Sequence, residues 1–239
     1  TSFTIDAFVL NHIKKLSNNY NLLIICNDAL LLKKKVPKNV ILHNLDFYRK
    51  PNLTIDIKTF FELLYLTIKS KPVLTISLSP KAGFLNSISS FLARVPFRIH
   101  WFTGQVWVTK NGLAREFYKI IDKIIFNLSI HVLVDSHSQR NFLISNKIIS
   151  KNKSTVLLSG SVAGVNVKKF KYNYLNRKIK RRKLKIKKND FVFLYLGRIN
   201  KDKGVIDLIN AFKTIKNGFL FLVGPIENQN IKKLIKENK

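Results

Sequence analysis

Six short apolar runs alternate with helix-period segments through the first two thirds of the chain, and this alternation limits the possible folds more than any other feature. The runs are NLLIICN (21–27), VILHNLDF (40–47), VLTISLS (73–79), FRIHWFTG (97–104), HVLVDS (131–136) and STVLLSG (154–160). Amphipathic spacing predicts helices over 4–16, 55–70, 82–94, 113–128 and 139–145. Near-continuous apolar strands separated by helices mark a parallel sheet covered on both faces. The first part is therefore read as a doubly wound α/β domain. Its helix starts at Thr4 with no strand before it, so a preceding strand of such a fold is expected to be missing.

The pattern stops at 168–189, KKFKYNYLNRKIKRRKLKIKKN, which reads as a basic connector with room for one short helix. Beyond it come a strand FVFLYLG (191–197), a helix from 205 to about 216, a strand FLFLVG (219–224) and a helix from 228 onward. Val205, Leu208, Ile209, Phe212 and Ile215 share one helical face, as a βαβ crossover needs. The expected organisation is a first domain over 1–167, a linker over 168–189 and the start of a second domain over 190–239. Two strands do not complete an α/β domain. The chain also begins at Thr1 and has no Met among its 239 residues, so it is read as a fragment interrupted at both ends.

Lys and Arg number 43 against 13 Asp and Glu, a net charge of +30, yet 46% of residues are apolar, which describes a folding chain rather than a disordered basic tail. Such charge favours an anionic membrane surface, a nucleic acid or a phosphorylated substrate. It also fits a plain lysine-rich solvated surface. The single cysteine, Cys26, excludes an internal disulfide framework and any cysteine-cluster metal site, which suits a reducing cytosol. The apolar stretches 73–102 and 120–134 are broken by Lys81, Arg94, Arg98, Asp122 and Lys123, so neither provides the roughly 20 apolar residues of a spanning helix. No G-x-x-x-x-G-K-[ST], G-x-G-x-x-G or H-E-x-x-H occurs, which disfavours P-loop enzymes, the usual dinucleotide dehydrogenases and zinc proteases. The five histidines form no ligand cluster. Four fall inside helices or strands, and His137 lies beyond a strand end.

Ligands of open parallel sheets bind beyond the carboxyl ends of the strands. Four loops there are distinctive: SPKAGF (79–84), FTGQVW (102–107), DSHSQR (135–140) and SGSVAGV (159–165). Their candidate cleft residues are Lys81, Gly83, Ser136, His137, Gly160, Ser161 and Gly164. Small residues in each loop suit close approach of a ligand, and equally suit tight turns. The second domain opens with LGRINKDKG (196–204), where Gly197 ends a strand, Arg198 and Lys203 supply cations, and a helix begins at Gly204 or Val205. An Arg fork, an ammonium and a helix N-terminus together suit a diphosphate. On spacing alone, Arg198 and Lys203 also fit ordinary surface charges.

The ordered series from SPKAGFLNSISSFLARVPFRIHWFTGQVWVTKNGLAREFYKIIDKI through VLVDSHSQRNFLI, GSVAGVNVKKF and FLYLGRINKDKGVIDLINAF to FLVGPIE resembles the family 4 retaining glycosyltransferases of the GT-B fold. Within that family it is similar to the bacterial members that extend lipid-linked oligosaccharides and capsular or O-antigen polysaccharides. The resemblance implies two Rossmann-like domains, the first holding the acceptor and the second a nucleotide-sugar. It places the donor diphosphate on Arg198 and Lys203, with Gly197 giving room, and lines the interdomain cleft with 160–164. Ala163 stands where the family commonly has Asn, and Asn166 where it has Asp. Thr103 occupies the place of a family His, so Thr103 and Gly104 are expected at the reaction centre, with His100 too deep. The family's acidic E-x7-E signature is not in this chain.

The resemblance implies transfer of a hexosyl or N-acetylhexosaminyl group, UDP-linked, to a lipid-diphosphate-linked saccharide with retention, in cell-envelope polysaccharide synthesis. It implies no cofactor and no metal, since the nucleotide-sugar is a co-substrate. The expected location is cytoplasmic, peripheral on the inner face of the membrane, with the basic connector touching anionic lipid and no nucleic acid bound. The fragment alone is expected to be inactive. The alternative is a non-catalytic basic protein that binds nucleic acid or a membrane surface through Arg177, Lys178, Lys180, Arg181, Arg182 and Lys183.

Overall fold

The computed structural model describes residues 1–48, 52–215 and 217–237. The chain divides into two compact units, Thr1–Asn166 and Val167–Lys239.

In the first unit the strands are β1 (Leu23–Cys26), β2 (Ile41–Asn44), β3 (Leu74–Ser77), β4 (Phe97–Phe102), β5 (His131–Val134) and β6 (Ser154–Thr155). All described pairings are parallel, β1 with β2 in one sheet and β3-β4-β5-β6 in another. The continuous sheet that the alternation predicts is therefore divided in two. One hydrophobic cluster still spans the division, since Ile25 of β1 packs with Leu45, Leu63 and Leu85.

The helices are α1 (Ser2–Thr4), a π-turn over Ile5–Val9, α2 (Leu10–Leu16), α3 (Leu53–Ser70), α4 (Pro80–Leu92), α5 (Gly112–Leu128) and α6 (His137–Ser145). The predicted first helix is thus interrupted by one wide turn. Asn52 caps α3, its Oδ1 accepting the Ile55 N–H at 3.2 Å. Thr59, Leu63 and Thr67, four residues apart, form its buried face. Pro80 fits the first turn of α4, where no intrahelical N–H partner exists. Helix formation thus begins at Pro80 rather than at Ala82, and Lys81 belongs to α4 rather than to the loop before it. His137 likewise opens α6, because the Ser136 hydroxyl caps it by accepting the Gln139 N–H at 3.1 Å. The main core gathers Phe102, Trp107, Ile125, Val132, Val134, Leu143, Ile148 and Ile149 between the four-stranded sheet and the helices α5 and α6.

The last predicted strand of this unit is cut to two residues. Leu158 takes φ 49° and Gly160 φ 94°, and the Gly160 N–H reaches Leu157 O at 2.8 Å. The chain turns out of the sheet there to reach the end of β5.

In the second unit, β7 (Phe191–Leu196) and β8 (Gly218–Val223) pair in parallel over their full length. The helices are α7 (Tyr174–Lys183), α8 (Val205–Phe212) and α9 (Gln229–Glu237). Ile199, Val205, Ile209 and Ile231 are buried together, with Tyr195 and Leu222 against them. The helix predicted to about residue 216 ends at Phe212, and Lys216 lies outside the described residues, as do 238 and 239. The basic segment 168–189 belongs to this unit rather than standing apart as a linker. Ile186 is buried, and the Arg181 guanidinium donates to the carbonyls of Lys187, Lys188 and Asp190, which fastens the end of α7 to the turn before β7.

Candidate functional site

At the carboxyl edge of the four-stranded sheet, polar side chains tie successive loops together. Gln139 is central: its Oε1 accepts the Asp135 N–H at 3.0 Å, and its Nε2 donates to Gln105 Oε1 at 3.2 Å. This joins the loops after β4 and β5. Asp135 then reaches the segment after β6, its carbonyl accepting the Ser161 N–H at 2.7 Å and its Oδ1 the Val162 N–H at 3.1 Å. Burial raises the Asp135 carboxyl, opposed by the Trp101 indole and the Val162 N–H. His12 of α2 completes the arrangement, with Nε2 at 2.7 Å from Val162 O and its ring edge-on to Trp101 at 5.8 Å. A carbonyl oxygen can only accept, so Nε2 carries the proton.

The predicted residues take several different places on this edge. Thr103 and Gly104 are exposed at the end of β4; Thr103 Oγ1 donates to Leu78 O at 3.5 Å, and none of the described residues lies within 4 Å of a Cβ on Gly104. Further along the same loop, Trp107 is buried, stacks on Phe142 at 5.2 Å and donates Nε1–H to Asp122 Oδ2 at 2.8 Å. Gly160 is required by proximity, since a Cβ there would overlap the Asp135 carbonyl. Ser161, with φ 64°, adopts the left-handed conformation without being glycine, and Gly164 faces open space. Ser136 caps α6 and also meets Ser138 Oγ at 3.0 Å, while His137 is exposed.

Two predicted cleft residues have structural partners instead. Lys81 is held by Asp56, Nζ lying 2.8 and 2.9 Å from the two carboxylate oxygens. Gly83 is buried against the His100 imidazole, which a Cβ would overlap. His100 itself is buried, meets Ser77 Oγ at 2.8 Å, and is driven down to about 3 by burial. It is a neutral packing group at any ordinary pH.

In the second unit the loop 197–204 leads from β7 into α8. Gly197 N–H bonds to Val223 O at 3.0 Å, and a Cβ on Gly224 would overlap the Gly197 carbonyl, so the two strand ends touch through glycine. The pairing continues past the strands through Ile199 N–H to Pro225 O at 2.8 Å. Arg198 is half exposed, with Nη1 at 3.2 and 3.4 Å from the Glu227 carboxylate oxygens. Asn200 is 9% exposed and donates Nδ2–H to Glu227 Oε2 at 2.9 Å, while its Oδ1 is buried with no hydrogen-bond partner among the described residues. Lys203 ends a short 3-10 turn, and Gly204 at φ 67° starts α8. Arg198, Lys203 and the α8 N-terminus thus share one loop of eight residues, and the arrangement can receive a multiply charged anion once Glu227 gives way.

Sequence reasoning missed His12, Gln105, Asp135, Gln139, Asn200 and Glu227. Asp135 and Gln139 lie in a quoted loop, so polar residues flanking a strand end were the available signal. His12 had none, because its partner is 150 residues away. Among the described residues no three His, Cys, Asp or Glu side chains converge in a metal-ligating group, and no helix is long and apolar enough to cross a membrane.

Residues 176–239 match the family model described as Glycosyl transferases group 1. Two curated relatives share sequence with the chain. One is the capsular polysaccharide biosynthesis glycosyltransferase CapM of Staphylococcus aureus, 31% identical over 216 residues, covering 89% of this chain and 56% of the relative. The other is the UDP-Gal:alpha-D-GlcNAc-diphosphoundecaprenol alpha-1,3-galactosyltransferase of Escherichia coli, 26% identical over 168 residues, covering 70% of this chain and 42% of the relative. The chain spans about half the length of the curated relatives it matches. Among solved structures, Anabaena HepE in complex with UDP superposes with a TM-score of 0.68 at 15% identity, covering 92% of this chain and 65% of that one. A glycosyltransferase from Rickettsia africae gives 0.69 at 18% identity, covering 98% and 62%. The chain therefore has the α/β architecture of GT-B glycosyltransferases, and its residues 176–239 are similar to the glycosyl transferases group 1 family.

Proposed function

We propose that the protein is a retaining, family 4-type glycosyltransferase of cell-envelope polysaccharide synthesis. It moves a hexosyl or N-acetylhexosaminyl group from a UDP-sugar to a lipid-diphosphate-linked saccharide. The loop 197–204 carries this reading: one guanidinium, one ammonium and one helix N-terminus sit within eight residues, beside two glycines that let the strand ends touch. Likeness to a capsular polysaccharide glycosyltransferase supports the pathway, and likeness to a diphosphoundecaprenol-dependent galactosyltransferase supports the acceptor class.

In this reading the sugar leaves a diphosphate on which negative charge grows. Arg198 and Lys203 stabilise that charge, a role that requires no metal ion. Donor binding first displaces Glu227 from Arg198. The Asn200 amide, which donates to the same carboxylate, is released with it. The edge bearing Thr103, Gly104 and the Asp135–Gln139–Gln105 chain presents the acceptor, and the Ser136, His137, Ser161 and Gly164 positions border it. A lipid-linked acceptor locates the work at the inner face of the cytoplasmic membrane.

The test is turnover of a UDP-sugar on a polyprenyl-diphosphate saccharide by the product of the full reading frame, with Arg198→Ala and Lys203→Ala. Each is expected to lower kcat by about 10²–10³. Rates close to the parent's would remove the assignment. The exposed cations of α7 favour a second reading as a non-catalytic basic binding protein, but that reading leaves the tied loops of the first unit without a role.

A further inference from the structure

Helix α7 is exposed along its whole length except for Arg181. It lies in the segment 168–189, where Lys and Arg fill twelve of twenty-two positions and Asp and Glu none. Arg181 defines the inward side, because its guanidinium is held by the carbonyls of Lys187, Lys188 and Asp190. At about 100° per residue, Leu175 and Ile179 fall together on the opposite side, and Arg182 and Lys183 flank them. Leu175 is 66% exposed and Ile179 61%. Just before the helix, Phe170 and Tyr172 are also exposed, and alternate with Lys169 and Lys171.

We propose that α7 is a membrane-surface anchor that lies in the headgroup region of an anionic bilayer, with Leu175 and Ile179 directed into the acyl boundary. An apolar strip on a helix that carries six Lys and Arg and no acidic residue matches a surface that is negative outside and apolar just beneath. Phosphates alone would attract the lysines and arginines, but they give the two branched aliphatic side chains nothing to bury against. Phe170 and Tyr172 suit the same boundary, since aromatic rings favour the headgroup level. The fastening of Arg181 orients the strip outward before any lipid is met. This extends the lipid-linked acceptor reading to a particular surface of the chain.

The experiment is cosedimentation with phosphatidylcholine vesicles, with and without phosphatidylglycerol, in the absence of any donor sugar. The protein is expected to sediment with the phosphatidylglycerol vesicles and to remain in solution with phosphatidylcholine alone. Leu175→Asn with Ile179→Asn, which keeps every charge, is expected to weaken vesicle binding at least about tenfold. Heparin affinity and far-UV circular dichroism of that variant are expected to be unchanged. Equal binding to both vesicle types would overturn the proposal, as would unchanged vesicle binding by the doubly substituted protein. Duplex DNA that competes the parent off vesicles, with the aliphatic substitutions having no effect on either ligand, would assign α7 to nucleic acid instead. No outcome depends on Arg198 or Lys203, so failure here leaves the transferase reading standing.

Discussion

Asp122 offers a sharp test of how the loop after β4 is supported. It is 5% exposed and accepts the Trp107 indole N–H at 2.8 Å, which ties the 3-10 turn Val106–Thr109 to α5. Burial raises the carboxyl from 3.8 to about 6, and the indole hydrogen bond opposes that rise. An acid that holds its proton more tightly when folded contributes stability that is complete below 3.8 and is lost as pH rises through about 6. Between pH 8 and pH 5 the native protein should therefore gain about 1.4 kcal/mol from this one group. Asp122→Asn keeps an oxygen acceptor for Trp107 but cannot titrate, so it lacks that gain. Urea unfolding followed by far-UV circular dichroism, on both proteins at both pH values, isolates the effect, because every other titrating group cancels in the comparison. The expected result is a parent-minus-variant stability difference that moves by about 1.4 kcal/mol in the parent's favour on going to pH 5. Parallel pH dependences, agreeing within about 0.3 kcal/mol, would refute the buried, proton-retaining carboxyl.

Three further substitutions probe the same architecture. Gly224→Ala places a methyl group on the Gly197 carbonyl at a φ of 148°, and is expected to lower stability by about 2 kcal/mol or more and to weaken UDP binding with it, by denaturation and calorimetry. Gly83→Ala drives a methyl into the buried His100 ring and should cost about 1–3 kcal/mol in urea unfolding, with no preferential loss of UDP affinity. Glu227→Gln removes the carboxylate from Arg198, and calorimetry should then show UDP binding tightened severalfold; weaker binding would mean that Glu227 helps hold the donor instead of yielding to it.

The elements were legible because their causes are local. Apolar runs of strand length and the 205, 208, 209, 212 spacing record burial directly, so β4, β5, β7, β8 and the start of α8 fall where the pattern puts them. Boundaries were less so. Lys81 and His137 read as loop residues, because strand ends are visible in hydropathy while the capping geometry at Ser79 and Ser136 is not. The division of the first sheet was hidden, since hydropathy reports that a strand is buried and not which strands pair. The loop 197–204 was readable from its glycines and cations, but Glu227 was not, because its link to Arg198 spans 29 residues and passes through the paired strand ends. His12 is the extreme case, a helix residue whose partner is set wholly by the tertiary fold.

The central claim is that Arg198 and Lys203 bind the donor through its diphosphate. It is tested most directly by titrating UDP and UMP calorimetrically into the parent protein and into Arg198→Ala/Lys203→Ala. The account predicts that the parent binds UDP at least about tenfold more tightly than UMP, and that this preference collapses in the double variant while UMP affinity changes little. A preference for UDP that survives both substitutions would contradict it.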